Sequence, residues 1–315
     1  VFIVCQLMPA TTKRATRKKA VVAPEPIRPT AYKVLGANGE SIHGGSLTWS
    51  LPTAEGPGEW HEVTGKVRCC SNGLHLTTAP VMWWQEEARV FVVEHEGDED
   101  REGAEDDKFA VRRARLVREE LDWVQFGVYD SGAHSVSSGH HRASGSASVR
   151  ASGSASVRAF DSASVRAFDS ASVRAFDSAS VRAFDSASVR AFDSASVEAS
   201  GSASVRAFDS ASVEASGSAS VRAFDSASVR ASGSASVEAF DSASVEAFDS
   251  ASVEAFDSAS VRASGSVSVV RSRYHRKGWV SLADYAATID RRGDTNGQPP
   301  VAHLAPWSDR PEDVA

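Results

Sequence analysis

Cysteine is scarce in this chain, with three among 315 residues. Cys5 stands alone, and Cys69 and Cys70 are neighbours, so no disulfide framework follows from them. The vicinal pair reads as buried or incidental thiols. No Cys/His cluster has zinc spacing, and no cofactor is expected. Long apolar runs are lacking too. The apolar start from Val1 to Met8 is too short to span a bilayer. It precedes the basic cluster instead of following it, which is not the order of a signal peptide. Met8 and the basic text after it read like a natural start, with residues 1–7 as an upstream extension. The glycines form no Gly-x-Gly-x-x-Gly loop after a strand, and no Ser-His-Asp set, phosphate loop or metal motif emerges.

What is present is a repeat. From Ser146 onward run sixteen octapeptides of the form Ser-Ala-Ser-Val-(Arg/Glu)-Ala-(Phe/Ser)-(Asp/Gly), with valine at 149 and at every eighth residue to 269. Strand side chains alternate with period two, so an even repeat returns each column to the same face. A helix would smear it around its circumference. Ala, Val and Ala in the second, fourth and sixth places alternate with Ser, Ser and Arg/Glu, the pattern of a half-buried strand. Asp and Gly exchange in the eighth place, and both tolerate the backbone of a tight corner. Such strands bury their Ala-Val-Ala face only by stacking, which predicts a parallel β-solenoid. Two octads per coil suit a thin Ala/Val interior better than three. That makes eight coils and, at ~4.8 Å per strand, a rod of roughly 38 Å.

The seventh column holds Phe160, Phe168, Phe176, Phe184, Phe192, Phe208, Phe224, Phe240, Phe248 and Phe256, and Ser in the other six octads. Shrinking a buried Phe costs about 3–5 kcal/mol, so six such defects place this column outward or at an edge. The ten rings form an apolar stripe that serves either as a contact surface, for a protein partner or self-association, or as intramolecular cover for neighbouring rings and Arg stems. The fifth column carries ten Arg and five Glu, and the eighth ten Asp, a net of −5 for the octads. The simplest role of these charges is a solvated face that keeps the rod soluble.

The rest divides around the array. Residues 1–30 are a basic, Pro-rich arm with Lys13, Arg14, Arg17, Lys18 and Lys19. Five charges without interleaved aromatics favour a solubilising tail over a nucleic-acid contact. Residues 31–121 read as a small α+β domain. Its expected elements are strands at 31–35, 61–70, 74–77 and 89–94, a short helix opened by Pro80, and an acidic loop from Glu96 to Asp107. From Lys108 to Leu121 a strand should turn helical or irregular. Residues 122–145 form a linker and N-terminal cap. Its His134, His140 and His141 lack acidic or Cys partners at ligand spacing. The array occupies 146–270, and a C-terminal cap 271–290, with basic and aromatic residues after Val270 covering the last strand. Trp279–Asp290 suggests a short helix with Ser281 as N-cap. Residues 291–315 read as a disordered tail.

The string Ser71 to Trp84, with Gly73-Leu74-His75, resembles the Gly-Leu-His segment of a small uncharacterised domain of phage and actinobacterial proteins. Asp107-Lys108-Phe109-Ala110 matches its later strand, and the octads are similar to the Ser-Ala-Thr-Val-type arrays that follow it there. This resemblance spans roughly residues 30 to 270 and implies an architecture without a known activity, in a cytoplasmic or virion-associated setting. Gly73, His75 and Thr77 also resemble a strand of ADP-ribosyltransferase-like folds. That likeness implies a ribose-binding His75, Glu119 or Glu120 as a late acid stabilising oxocarbenium charge, and His43-Gly44 as the nearest first motif. The leading expectation is a non-enzymatic structural or interaction protein whose rod is a spacer or docking surface. The alternatives are a transferase-like effector on a solenoid, and an ice- or surface-binding face built on the Ser columns.

Overall fold

A computed structural model describes residues 30–42, 44–69, 71–85, 87–101, 108–271, 278–284, 286–290 and 300–311. The chain is mainly β: a small sheet domain, the head, followed by a parallel β-solenoid.

Each octad contributes one strand of four residues, Ser-Val-(Arg/Glu)-Ala, from β9 (Ser148–Ala151) to β24 (Ser268–Arg271). Strands sixteen residues apart pair in parallel and in register, as Val157 does with Val173 and Val165 with Val181. Two octads therefore make one coil, and the sixteen array strands divide between two facing sheets. The array thus supplies eight coils, the number expected from its sequence. The corner is a four-residue turn in which the N–H of the next octad's Ala donates to the seventh-column carbonyl, at 3.0 Å for Ala163 to Phe160. Its second residue is left-handed, with φ of 46–56° at the ten array Asp and positive φ at Gly153, Gly201, Gly217, Gly233 and Gly265. That backbone explains why only Asp and Gly alternate in the eighth place. The Ala, Val and Ala columns are at most 3 % exposed from Ala147 to Ala263, so the interior is as thin as the composition implies.

Coils continue beyond the array at both ends. Before it, β6 (Val128–Tyr129), β7 (Ala133–Val136) and β8 (His140–Ala143) join the two sheets. His134 and His141 take the register of the valine column, opposite Val149 and Val157. Tyr129 stacks on both imidazoles, at 3.9 and 5.9 Å between centroids, and its hydroxyl meets His141 Nδ1 at 3.2 Å. A stack of flat rings thus closes the end of a core made of Ala and Val. After the array, β25 (Val280–Leu282) and β26 (Ala287–Asp290) add a further coil. Then β27 (Val301–Leu304) and β28 (Trp307–Ser308) turn antiparallel and cover the last strand of each sheet. Two antiparallel strands at the end block continued parallel stacking. The rod has about ten coils, and ten strand spacings of ~4.8 Å give a length of roughly 48 Å.

Two expectations for this end are corrected. The segment expected as a helix, Trp279–Asp290, holds two strands among its described residues, because Val280 and Leu282 fall opposite Val261 and Ala263 and extend the existing template. Residues 300–311 of the expected disordered tail supply the two covering strands. The basic segment 272–277, expected to shield the last strand, lies outside the described residues.

In the head, β1 (Ala31–Leu35), β2 (His61–Glu62), β3 (Leu74–Thr77), β4 (Arg89–Asp100) and β5 (Lys108–Glu120) form one antiparallel sheet in the order β2-β5-β3-β1-β4. β4 also pairs with β5, which closes a ring of four strands. Register shifts at Val92/Val93 and Glu96/Glu99 supply the bend. Leu35, Phe91, Phe109 and Leu116 fill the interior, with Trp49, Leu74 and Leu76 beside them. The helical part of the expected α+β domain is reduced to 3-10 turns, one of them at Pro80–Trp83, and no α-helix occurs among the described residues. Arg142 of the first coil stands over Trp84 at 4.2 Å, and Trp84 meets Trp123 edge-on. These contacts join the head to the rod.

Candidate functional site

The head contains a cleft of about 680 Å³, within the range typical of small-molecule sites. Residues of β1, β2, β3 and the start of β5 line it, with Trp83 from the 3-10 turn. Strand register sets its chemistry. Tyr32 of β1 lies opposite Thr77 of β3, and Thr77 lies opposite Lys108 of β5. Lys33 and Lys108 are thereby brought to the same cleft as His75.

The Lys33 ammonium donates to the His75 carbonyl at 3.0 Å and faces the Trp49 ring at 5.5 Å. Burial, followed by repulsion from Lys108, lowers its pKa to about 8. His75 is also held below the ordinary imidazole value, first by burial and then by Lys108 and Lys33. His61 is lowered by burial, partly offset by Glu59. The Ser50 N–H donates to His61 Nε2 at 3.1 Å, so this nitrogen is unprotonated in the arrangement observed. Among the described lining residues Glu62 is the one carboxylate, and it is exposed. The cleft thus combines two lysines, two imidazoles disposed to stay neutral, and tryptophan rings. Such a set can receive an anion. Lys33 is not apparent from the sequence because a lysine at the centre of a strand carries no motif; its only signal is a charge among core-facing neighbours.

The acids singled out with His75 do not join it. Ala110 is the β5 residue opposite His75, and Glu119 lies nine positions further along that strand. At ~3.3 Å per residue this is roughly 30 Å along the strand. Glu119 instead forms a two-pronged pair with Arg89, at 2.8 and 2.5 Å, which lowers its pKa. Glu120 pairs with Arg118 at 2.6 Å. The transferase-like arrangement of His75 and a late acid is therefore not assembled. His43, Cys5, Cys70 and the arm with Lys13–Lys19 lie outside the described residues.

The ten array Phe are all half-buried and divide between the two edges of the rod. On one edge Phe160, Phe176, Phe192, Phe208, Phe224, Phe240 and Phe256 form an unbroken ladder, with centroids 4.5–5.0 Å apart and planes within 10°. On the other edge Phe168 and Phe184 stack at 4.9 Å, and Ser200, Ser216 and Ser232 then interrupt the column before Phe248. Their absent rings leave a second groove of about 240 Å³, lined also by Glu198, Glu214 and Arg230. Ser200, Ser216 and Ser232 lie on that edge alone, so these defects are segregated and the ladder of the first edge stays whole. Arg stems add to the cover, with Arg142 over Phe160 at 3.7 Å and Arg150 over Phe168 at 4.1 Å.

The eighth-column Asp are equally organised. Along the first edge, from Asp161 to Asp241, each carboxylate accepts from the corner N–H of the preceding coil, as Asp193 does from Asp177 at 3.2 Å. Hydroxyls of the first Ser column donate to corner carbonyls, as Ser194 does to Asp177 at 2.9 Å. Among the described residues no group of three or more His, Cys, Asp or Glu is arranged to hold a metal ion, and no helix is long and apolar enough to cross a membrane.

No curated protein and no solved structure matches the chain. The head does have a family likeness: residues 31–128 match the family described as Domain of unknown function (DUF7666), a span that runs past Leu121 to include Phe126, whose ring packs edge-on against Tyr32 at 4.8 Å.

Proposed function

We propose that this chain is a non-enzymatic structural protein in which the solenoid is a rigid spacer that carries the head. The observation that carries this reading is the saturation of the rod by its own contacts. Its apolar columns are buried, its array strands are paired on both sides, and the Phe rings of its unbroken edge stack on one another. Corner amides and first-column hydroxyls are also engaged along the unbroken edge. Repeats that contact only their neighbours change length without changing cross-section. That is what a spacer requires, and stacked rings supply lateral stiffness without a partner.

The test is a length series. Removing residues 171–186, one full coil, should shorten the particle by ~4.8 Å in small-angle scattering. The near-ultraviolet spectrum of the head's tryptophans should be unchanged. Loss of the head signal, or unfolding of the shortened rod, would show that the coils are not interchangeable spacer units. Sedimentation of the intact chain addresses docking through the Phe edge: a monomer across micromolar concentrations supports the spacer, and a discrete dimer refutes it in favour of self-association.

A further inference from the structure

A buried ammonium is costly unless it is paired or fully hydrogen-bonded. Lys33, half-buried on β1, satisfies neither condition within the described residues. Its ammonium has three donors, and one of them reaches the His75 carbonyl. Among the described residues no carboxylate is paired with it, and the charge acting on it is the like charge of Lys108. Several arginines of the head are placed differently. Arg89, Arg112, Arg113 and Arg115 each meet a carboxylate, at 2.5–2.9 Å. Acidic partners are therefore plentiful on β4, yet none of the described ones is directed to Lys33. The unbalanced charge lies at the cleft, beside half-buried His75 and the small polar groups Ser71, Asn72 and Thr77.

We propose that the head cleft binds a phosphate-bearing small molecule, with the anion held between Lys33 and Lys108 beside Ser71 and His75. The anion would complete the coordination of Lys33 and remove the repulsion between the two lysines. A cleft of about 680 Å³ leaves room for more than the phosphate itself, and the half-buried Trp83 ring offers apolar surface for the remainder of the ligand.

The test uses the full chain, with inorganic phosphate, pyrophosphate and ADP as probes and adenosine as the uncharged control. Calorimetry should show saturable binding of pyrophosphate and ADP and none of adenosine. Lys33→Met and Lys108→Met should each weaken binding by roughly tenfold or more, the loss of one charged hydrogen bond. Circular dichroism of each variant checks that the head is folded, and if Lys33→Met is not folded the comparison is made with Lys108→Met. For the native chain, affinity should fall as pH rises through the Lys33 value near 8. Absence of binding by all three anions overturns the proposal. So does equal affinity in the folded variants, which would mean that the anions bind elsewhere. Inorganic phosphate binding as tightly as ADP would overturn the larger ligand and identify the free anion as the occupant. The spacer reading is independent of this result, since it is measured on the rod.

Discussion

The two edges of the rod permit a direct measurement of what a ring ladder contributes. Phe208 sits in the unbroken ladder, with Phe192 and Phe224 at 5.0 Å on either side. Phe248 is as half-buried as Phe208, but the seventh-column positions one coil away on either side are Ser232 and Ser264. Complete removal of a buried Phe costs about 3–5 kcal/mol, so the half-buried ring accounts for roughly 2 kcal/mol in both. Each stacked pair adds ~0.5–1.5 kcal/mol. Phe208→Ser breaks two pairs and should lose a further ~1–3 kcal/mol beyond burial, whereas Phe248→Ser breaks none and loses only the Arg230 contact at 5.5 Å. Urea denaturation followed by far-ultraviolet circular dichroism would measure both. Phe208→Ser should be the more destabilised by at least ~1 kcal/mol. Equal losses would refute the claim that the rings stabilise one another and would return the Phe column to the role of an exposed contact stripe.

Arg190 is flanked in register by Arg174 and Arg206, and Arg182–Glu198 at 2.8 Å shows that opposite charges meet at this spacing. Arg190→Glu should raise the melting temperature at low salt and lose that gain at high salt; a salt-independent change would contradict an electrostatic origin. Asp193 has φ 55° and accepts from Asp177 N–H, so Asp193→Ala should cost about 1–3 kcal/mol in urea denaturation from the left-handed backbone and the lost bond, while Asp193→Gly should cost less because it relieves the strain. Thr288 is buried at the valine position opposite Val269, with no partner for its hydroxyl among the described residues, and Thr288→Val should stabilise the C-terminal coil by ~1 kcal/mol, read as slower amide exchange in β24 and β26. Lys33 has a folded pKa of about 8 against 10.5 for an ordinary lysine. The unfolded chain then binds more protons between those values, so the stability of the head should rise as pH increases from 8 to 10.5. In Lys33→Met that rise, followed by thermal denaturation across the pH range, should disappear.

The rod was legible in the sequence because one local pattern decides everything about it. Valine spacing of eight sets the strand face, Asp/Gly sets the corner, and small Ala/Val volumes set two octads per coil. What a single octad could not disclose is that Phe alternates between two edges. That depends on whether an octad is the first or the second of its coil, so Ser200, Ser216 and Ser232 look like scattered defects in the sequence and form one notch in the structure. The length of β4 was hidden for a different reason. Glu96 and Asp98 look like a solvated loop, yet each meets an Arg of β5, as Glu94 does at the end of the expected strand, and β5 here lies between β4 and the strands β2 and β3. From Glu94 to Asp100 β4 itself carries no apolar side chain, so apolar alternation disappears from its sequence, and cross-strand ion pairs to β5 help to hold it. The helix expected at 279–290 gave way to tertiary context: an existing sheet edge aligned Val280 and Leu282 as strand residues despite weak local preference.

Rod and head differ in how consistently they obey local rules, and the difference bears on where activity resides. In the array, propensity, alternation, turn chemistry and packing agree at nearly every residue, which is the mark of a sequence specialised for one structure. The head departs from that consistency at Lys33, a half-buried cation at the cleft that meets no carboxylate among the described residues. Replacing it with an apolar residue would make a better core, so stability alone does not account for it. An array consistent at nearly every residue and a head with a half-buried cation at its cleft fit a division of labour in which the solenoid sets distance and the head meets the ligand.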